Sequence, residues 1–146
     1  MEIIIRTPET PQEWEVYYDL RFRILRQPWG QERGSERNEG DETGIHFALY
    51  EDKILKAIAR LDLSSEEEAQ VRFMAVEENV QRKGFGKQVM LELEAYCKMQ
   101  RIKKSILHAR EVAIPFYESL NYKLIEKSHC LFGEIQHYLM KKDLIL

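Results

Sequence analysis

The stretch "VRFMAVEENVQRKGFGKQVMLELEAY" (Val71–Tyr96) constrains the fold more than any other part of this chain. A β-rich run, Gln70–Val76, leads through a basic, glycine-bearing loop into a helical pattern from Gly84 to about Gln100, with Phe85, Val89, Leu93 and Tyr96 on one face. A second β-rich run, Lys104–His108, follows. A strand–helix–strand unit of this kind closes by a right-handed crossover and sets its two strands parallel. Any fold for the chain must contain that pair.

The remaining segments supply its neighbours. Glu2–Arg6 is a short strand, and Thr10 and Pro11 have the residue types of a helix N-cap and first helical position. Trp14, Tyr17, Tyr18, Phe22 and Leu25 then recur at helical spacing, so a helix runs to about Leu25. Pro28–Gly44 is a polar, glycine-rich loop in which Trp29 needs something to pack on; the acidic residues between Glu32 and Glu42 either attract a cationic ligand or are simply solvated. Ile45–Tyr50 and Ile54–Leu63 alternate as strands around a turn at Glu51–Lys53. Period-two geometry puts Leu55, Ala57, Ala59, Leu61 and Leu63 on one face, with Lys56, Ile58, Arg60 and Asp62 on the other. Ala113–Leu120 is a short helix with Pro115 in its first turn, ended by a left-handed Asn121. Tyr122–Ser128 and Glu134–Lys142 are the last strands, joined through "SHCLFG". The order β-α-β-β-β-α-β-α-β-β describes one mixed α/β domain over residues 1–146 with an antiparallel first half.

Composition removes several classes of function. At 146 residues the chain buries enough surface to fold without metal or disulfide. A net charge of −3 provides no global field for nucleic acid, and no apolar run is long enough to cross a membrane. Cys97 and Cys130 form no CxxC pair and read as reduced thiols of a cytosolic protein. The four histidines, at 46, 108, 129 and 137, lack metal-ligand spacing, so no metal is expected.

Within this acidic chain the cluster Gln81–Lys87 is a local exception. The first amides of a helix lack intrahelical partners and carry partial positive charge. Gly84 and Gly86 clear side chains from that surface, while Arg82, Lys83 and Lys87 add full charges and Gln81 an amide. These parts make a cradle for a diphosphate. Neither the GxxxxGK[ST] P-loop nor a complete GxGxxG fingerprint is present.

The strand ending "MAV" (Met74, Ala75, Val76), followed by Q-x-x-G-x-G at Gln81–Gly86 and a helix, resembles motif A of the GNAT (Gcn5-related) N-acetyltransferases. "AIPFYESLNY" (Ala113–Tyr122) resembles that family's second signature, and "RFRILR" together with "GEIQHYLM" is similar to its ElaA-like branch. The resemblance implies a GNAT-like mixed, mostly antiparallel sheet with a splayed central parallel strand pair, flanked by helices. It implies that Met74 and Val76, with Ala75 between them, pair through their backbone with the pantetheine arm of acetyl-coenzyme A. The pyrophosphate would sit on amides of Gln81, Arg82, Lys83, Gly84, Phe85, Gly86 and Lys87, with Arg110 and Phe116 beside the cofactor. Tyr117 would protonate the departing thiolate after an amine attacks the thioester directly in a ternary complex. A non-catalytic acyl-coenzyme A sensor is the alternative that uses the cradle alone. The acceptor is an unidentified amine, of a small molecule or a protein, and a homodimer is one open assembly.

Four positions depart from the family pattern. Arg110 stands where Asn is frequent, and Asn121 replaces a usual Gly. Gln70 and Arg72 occupy strand positions where several members carry a basic glutamate or histidine. His108, at the expected end of its strand, is therefore the first candidate for general base. His46, Arg60 and His137 alternate with apolar neighbours and face either an acceptor pocket or solvent.

Overall fold

In the computed structural model, which describes residues 1–144, the elements follow the expected order. They are β1 (Ile3–Arg6), α1 (Pro11–Leu25), β2 (Ile45–Glu51), β3 (Ile54–Leu63), β4 (Glu68–Val76), α2 (Phe85–Met99), β5 (Lys104–Arg110), α3 (Ile114–Ser119), β6 (Lys123–Leu131) and β7 (Ile135–Asp143). The strands are hydrogen-bonded in the order β1-β2-β3-β4-β5-β7-β6. β4 and β5 are parallel; β1–β2, β2–β3, β5–β7 and β6–β7 are antiparallel. The sheet is thus mixed and mostly antiparallel, with the parallel pair that the strand–helix–strand unit requires.

The chain divides into two compact units, the first comprising Met1–Asp62 and Phe73–Leu93, the second Leu63–Arg72 and the chain from Glu94. In the first, Thr10 is extended and its Oγ1 accepts from the Glu13 amide at 3.1 Å, while Pro11 opens α1. The core joins Tyr17 and Leu20 of α1 to Ala48 and Tyr50 of β2, Leu55 and Ile58 of β3 and Ala75 of β4. Burying each large side chain of this set contributes roughly 1.5–3 kcal/mol. Leu55 therefore belongs with Ile58, not with Ala57 and Ala59 as strict alternation requires. Register explains the change. Leu49 opposes Ala57 and Tyr50 opposes Leu55, so Lys56 is an extra residue and the strand reverses its faces at that bulge.

A buried charge cluster organises the long loop. Arg21 and Arg60 are both 0% exposed. Each donates an NH1 to the same oxygen of Asp41 at 2.8 Å. Arg60 also grips Asp62 through two hydrogen bonds of 2.8 Å and reaches Asn38 Oδ1 at 2.7 Å. Tyr17 Oη lies 2.8 Å from His46 Nδ1, and His46 Nε2 donates to the Asp41 carbonyl at 2.9 Å. A Cβ on Gly40 or Gly44 would stand 2.6 Å from an Arg60 side-chain atom, which is why the loop is glycine-rich at those two places. His46 and Arg60 thus face neither solvent nor an open pocket. Asp41 answers buried arginines and Glu36 is buried at 5% exposed, while Glu32, Glu39 and Glu42 are exposed.

In the second unit the β4–β5 ladder runs from Glu68↔Lys104 to Val71↔Leu107. β5 continues to Arg110, so His108 lies inside the strand instead of ending it. β6 continues through Leu131, and Phe132 and Gly133, both at positive φ, form the turn into β7. The expected "SHCLFG" connection is therefore mostly strand. β6 carries two register shifts, between Leu124 and Glu126 and between Lys127 and Cys130, and most of its residues are exposed. Asn121 has φ 71°, and its amide and that of Tyr122 cap α3 on the carbonyls of Glu118 and Tyr117. Glu94, buried, accepts from Lys142 Nζ at 2.6 Å.

The charge cluster makes the first unit acid-sensitive. Burial pushes the Asp41 carboxyl up, but the Asn38 amide and the Arg60 and Arg21 guanidiniums overcome it and hold it below the ordinary aspartate range. Burial holds His46 below its usual 6.5. Both groups bind protons less readily folded than unfolded. The stability they confer is present at neutral pH and is lost as pH falls, for His46 from about 6.5 and for Asp41 from about 3.9 downward. Asp41→Ala leaves two buried guanidiniums short of a shared carboxylate. It should cost about 3–5 kcal/mol and lower Tm by roughly 10 °C in a calorimetric scan at pH 7.

Candidate functional site

The basic loop is fixed at both ends before it reaches its glycines. Arg23 of α1 makes a two-pronged ion pair with Glu77 at 2.8 and 3.0 Å, and the Glu77 amide donates to the Lys56 carbonyl at 2.8 Å. Arg23 holds the Glu77 carboxyl below the usual glutamate range. Val80 is a buried anchor at 5% exposed. From there Gln81, Arg82, Lys83 and Gly84 are exposed, Arg82 and Gly84 taking the left-handed region with φ 73° and 86°. Gly84 has open space where a Cβ would stand. Phe85 and Gly86 are buried, and Phe85 seats the first turn of α2 in the core.

The amides of Gly84, Phe85, Gly86 and Lys87 find no acceptor among the described residues. Arg82, Lys83 and Lys87 are exposed and form no ion pair there, although acidic residues outnumber basic ones in the chain. Uncommitted amides, three unneutralised cations and an open glycine surface together suit a diphosphate. Gln81 Nε2 donates back to the Val76 carbonyl at 3.3 Å. Ala75 points into the core at 2% exposed, while Met74 and Val76 are half-buried.

The second unit carries the other candidates. Arg110 is the last residue of β5 and is half-buried. Tyr117 is 8% exposed, with the Phe116 ring edge-on at 4.9 Å and the Tyr122 ring at 5.9 Å. Burial pushes the Tyr117 phenol up to about 12, against a downward pull from Arg110. The hydroxyl is therefore protonated at neutral pH.

His108 is not alone. Its ring lies 5.2 Å from that of His129, which stacks on His137 at 4.5 Å. His108 Nδ1 is 2.9 Å from Ser128 Oγ, and His137 Nδ1 donates to the Ile135 carbonyl at 2.9 Å. His137, expected at a pocket or in solvent, is instead 9% exposed. Burial holds His108 below 6.5, helped by His129 and Arg72, and burial likewise lowers His137. Sequence reading missed this cluster because Ser128 and His129 should alternate across a strand. The bulge between Lys127 and Cys130 sets both opposite the single residue His137. Among the described residues no group of histidine, cysteine and carboxylate side chains is arranged to hold a metal.

A family model described as an acetyltransferase (GNAT) domain matches residues 25–144. The chain belongs to the GNAT acetyltransferase family. That match is to the family at large and does not single out the ElaA-like branch. Among solved GNAT-like structures, an aminoglycoside 6'-N-acetyltransferase complexed with coenzyme A is 17% identical, with TM-score 0.83 over 100% of this chain and 98% of that one. Ard1 from Thermoplasma volcanium is 19% identical at TM-score 0.79, each chain covered completely. A GNAT family acetyltransferase from Elizabethkingia anophelis with acetyl-CoA bound is 15% identical at TM-score 0.75, with 97% of each chain covered. At such identities the likeness is one of fold. No helix among the described residues of this GNAT chain is long and apolar enough to cross a membrane.

Titration of the histidine cluster provides a direct check. In an NMR pH series the His108 ring should titrate below the ordinary histidine range. His129→Gln removes one of the two neighbours that disfavour its protonation, so the His108 midpoint should move up. An unmoved midpoint would show that the two rings do not sense one another.

Proposed function

We propose that this GNAT acetyltransferase transfers the acetyl group of acetyl-coenzyme A directly to an amine. The observation that carries the reading is the loop of the first unit, where unpartnered helix amides and three unpaired cations meet around Gly84. The pyrophosphate binds to Gln81–Lys87, chiefly to backbone amides, with Arg82, Lys83 and Lys87 supplying charge. Arg110 and Phe116 belong to the cofactor side, and the backbone of Met74 and Val76 pairs with the pantetheine arm as an added strand would. The neutral amine nitrogen attacks the thioester carbon; the C–N bond forms as the C–S bond breaks, the sulfur departs as a thiolate, and the nitrogen's surplus proton passes to water. An ammonium acceptor first loses its proton to His108 through Nε2, the ring nitrogen that Ser128 leaves free.

Tyr117 serves the leaving sulfur by hydrogen bonding more than by full proton transfer. A phenol near 12 giving its proton outright to a thiolate whose conjugate acid lies near 8.5 runs about 5 kcal/mol uphill. A neutral hydroxyl held beside the sulfur stabilises the developing charge without that cost. The non-catalytic sensor remains the second reading, since it needs the cradle but neither Tyr117 nor His108. The free thiols Cys97 and Cys130 suit a cytosolic setting.

Gly84→Glu sets a carboxylate in the cradle on a residue at φ 86°. Calorimetric titration with coenzyme A should show binding abolished while circular dichroism stays that of the parent; retained affinity sinks the cradle. A thiol-release assay with acetyl-coenzyme A over a panel of amines separates enzyme from sensor. In that assay Tyr117→Phe should slow kcat about tenfold with little change in cofactor affinity, since removing a full general acid costs roughly a hundredfold or more.

The pH–rate profile reports the base. A His108 whose protonation is disfavoured implies an acidic limb below 6.5, lying lower than an ordinary histidine would give. His108→Ala should remove that limb and leave coenzyme A affinity intact.

A further inference from the structure

Phe73 lies within β4 with φ 54°, the left-handed region that a bulky aromatic residue rarely adopts. Two residues earlier the ladder with β5 has its last pair, Val71↔Leu107. The three residues after it are Met74, Ala75 and Val76. Backbone strain of this sort persists only where the surroundings over-determine it. Glycine would hold the same dihedral without strain, so the aromatic ring must contribute what glycine lacks.

That contribution is visible in the first unit. The Arg21 guanidinium carbon stands 4.3 Å from the Phe73 ring centroid, the Arg60 carbon 4.9 Å and the Arg26 carbon 5.6 Å. Arg21 and Arg60 cannot swing away, because both are fully buried and both are bonded to Asp41. Desolvated guanidiniums over an aromatic face are the stronger form of this interaction. Ala75, one residue beyond Met74, is packed with Tyr17 and Leu20 of the same helix that carries Arg21.

We propose that Phe73 is a positioning residue of the cofactor strand. The Arg21 and Arg60 guanidiniums, pinned on Asp41, hold its ring and keep β4 bent so that the backbone of Met74–Val76 stays presented for strand-like pairing with the amides of an acyl-coenzyme A. The inference rests on the reading that this chain binds coenzyme A. It adds a consequence: Asp41, by fixing the two guanidiniums that hold the Phe73 ring, bears on cofactor affinity.

Three variants test it. Phe73→Gly accepts the dihedral but has no ring, Phe73→Leu keeps apolar bulk without an aromatic face, and Phe73→Tyr keeps the stack. Hydrogen exchange of the Met74–Val76 amides in ligand-free protein, and calorimetric affinity for coenzyme A, are measured for each. Phe73→Gly should exchange at least tenfold faster and bind at least tenfold more weakly, Phe73→Leu should change in the same direction, and Phe73→Tyr should match the parent. Parent-like exchange in Phe73→Leu overturns the clamp, and that result stands even if Phe73→Gly fails to fold. Faster exchange with unchanged affinity overturns the link to the cofactor. A parent that binds no coenzyme A refutes the functional reading instead, and the exchange arm still decides whether the ring holds the strand.

Discussion

A single carboxylate, Asp41, carries more of the first unit than any other group. Two guanidiniums with no exposure share one of its oxygens, and a buried arginine without such a partner would be prohibitive. Asp41 sits in a loop with little regular structure, so the loop is held by charge where an ordinary segment would be held by apolar packing. The glycines at 40 and 44 follow from the same constraint, since the Arg60 side chain fills the space a methyl group would need. His46 and Tyr17 close the arrangement from the strand and helix sides.

The two sets of cations are treated in opposite ways. Arg21, Arg23 and Arg60 are each matched to a carboxylate and serve the fold. Arg82, Lys83 and Lys87 are matched to none among the described residues and stand in water. In a chain of net charge −3 a carboxylate is seldom scarce. Leaving those three unpaired beside a helix start keeps the position open for an anion from outside. Arg23 links the two sets, because its grip on Glu77 fixes where the open loop begins.

Element order, the parallel pair, the capped start of α1 and the left-handed Asn121 were all legible from residue types and spacing, since each follows from short-range chemistry. What escaped was set by bulges. Leu55 changed faces because Lys56 is an unmatched residue in β3, and the histidine cluster formed because Ser128 and His129 share one opposite partner. A period of two carries no sign of an inserted residue, so neither shift could be read in advance. Arg60 was misread for another reason. A charge on an apolar face looks like a surface residue until the distant carboxylate that neutralises it is known, and Asp41 lies 19 residues away.

The irregular course of β6 reaches beyond the histidines it gathers. As the outermost strand of the sheet it exposes a row of backbone donors and acceptors, with Leu124 and Ile125 about half exposed beside them. A smooth strand of that kind is a template on which a second molecule can build fibrous aggregates. Two interruptions within nine residues deny such a template a continuous register, and Lys123 and Lys127 set charge along it. The register shifts that gather three histidine rings therefore also break the continuous edge on which copies of the strand could stack.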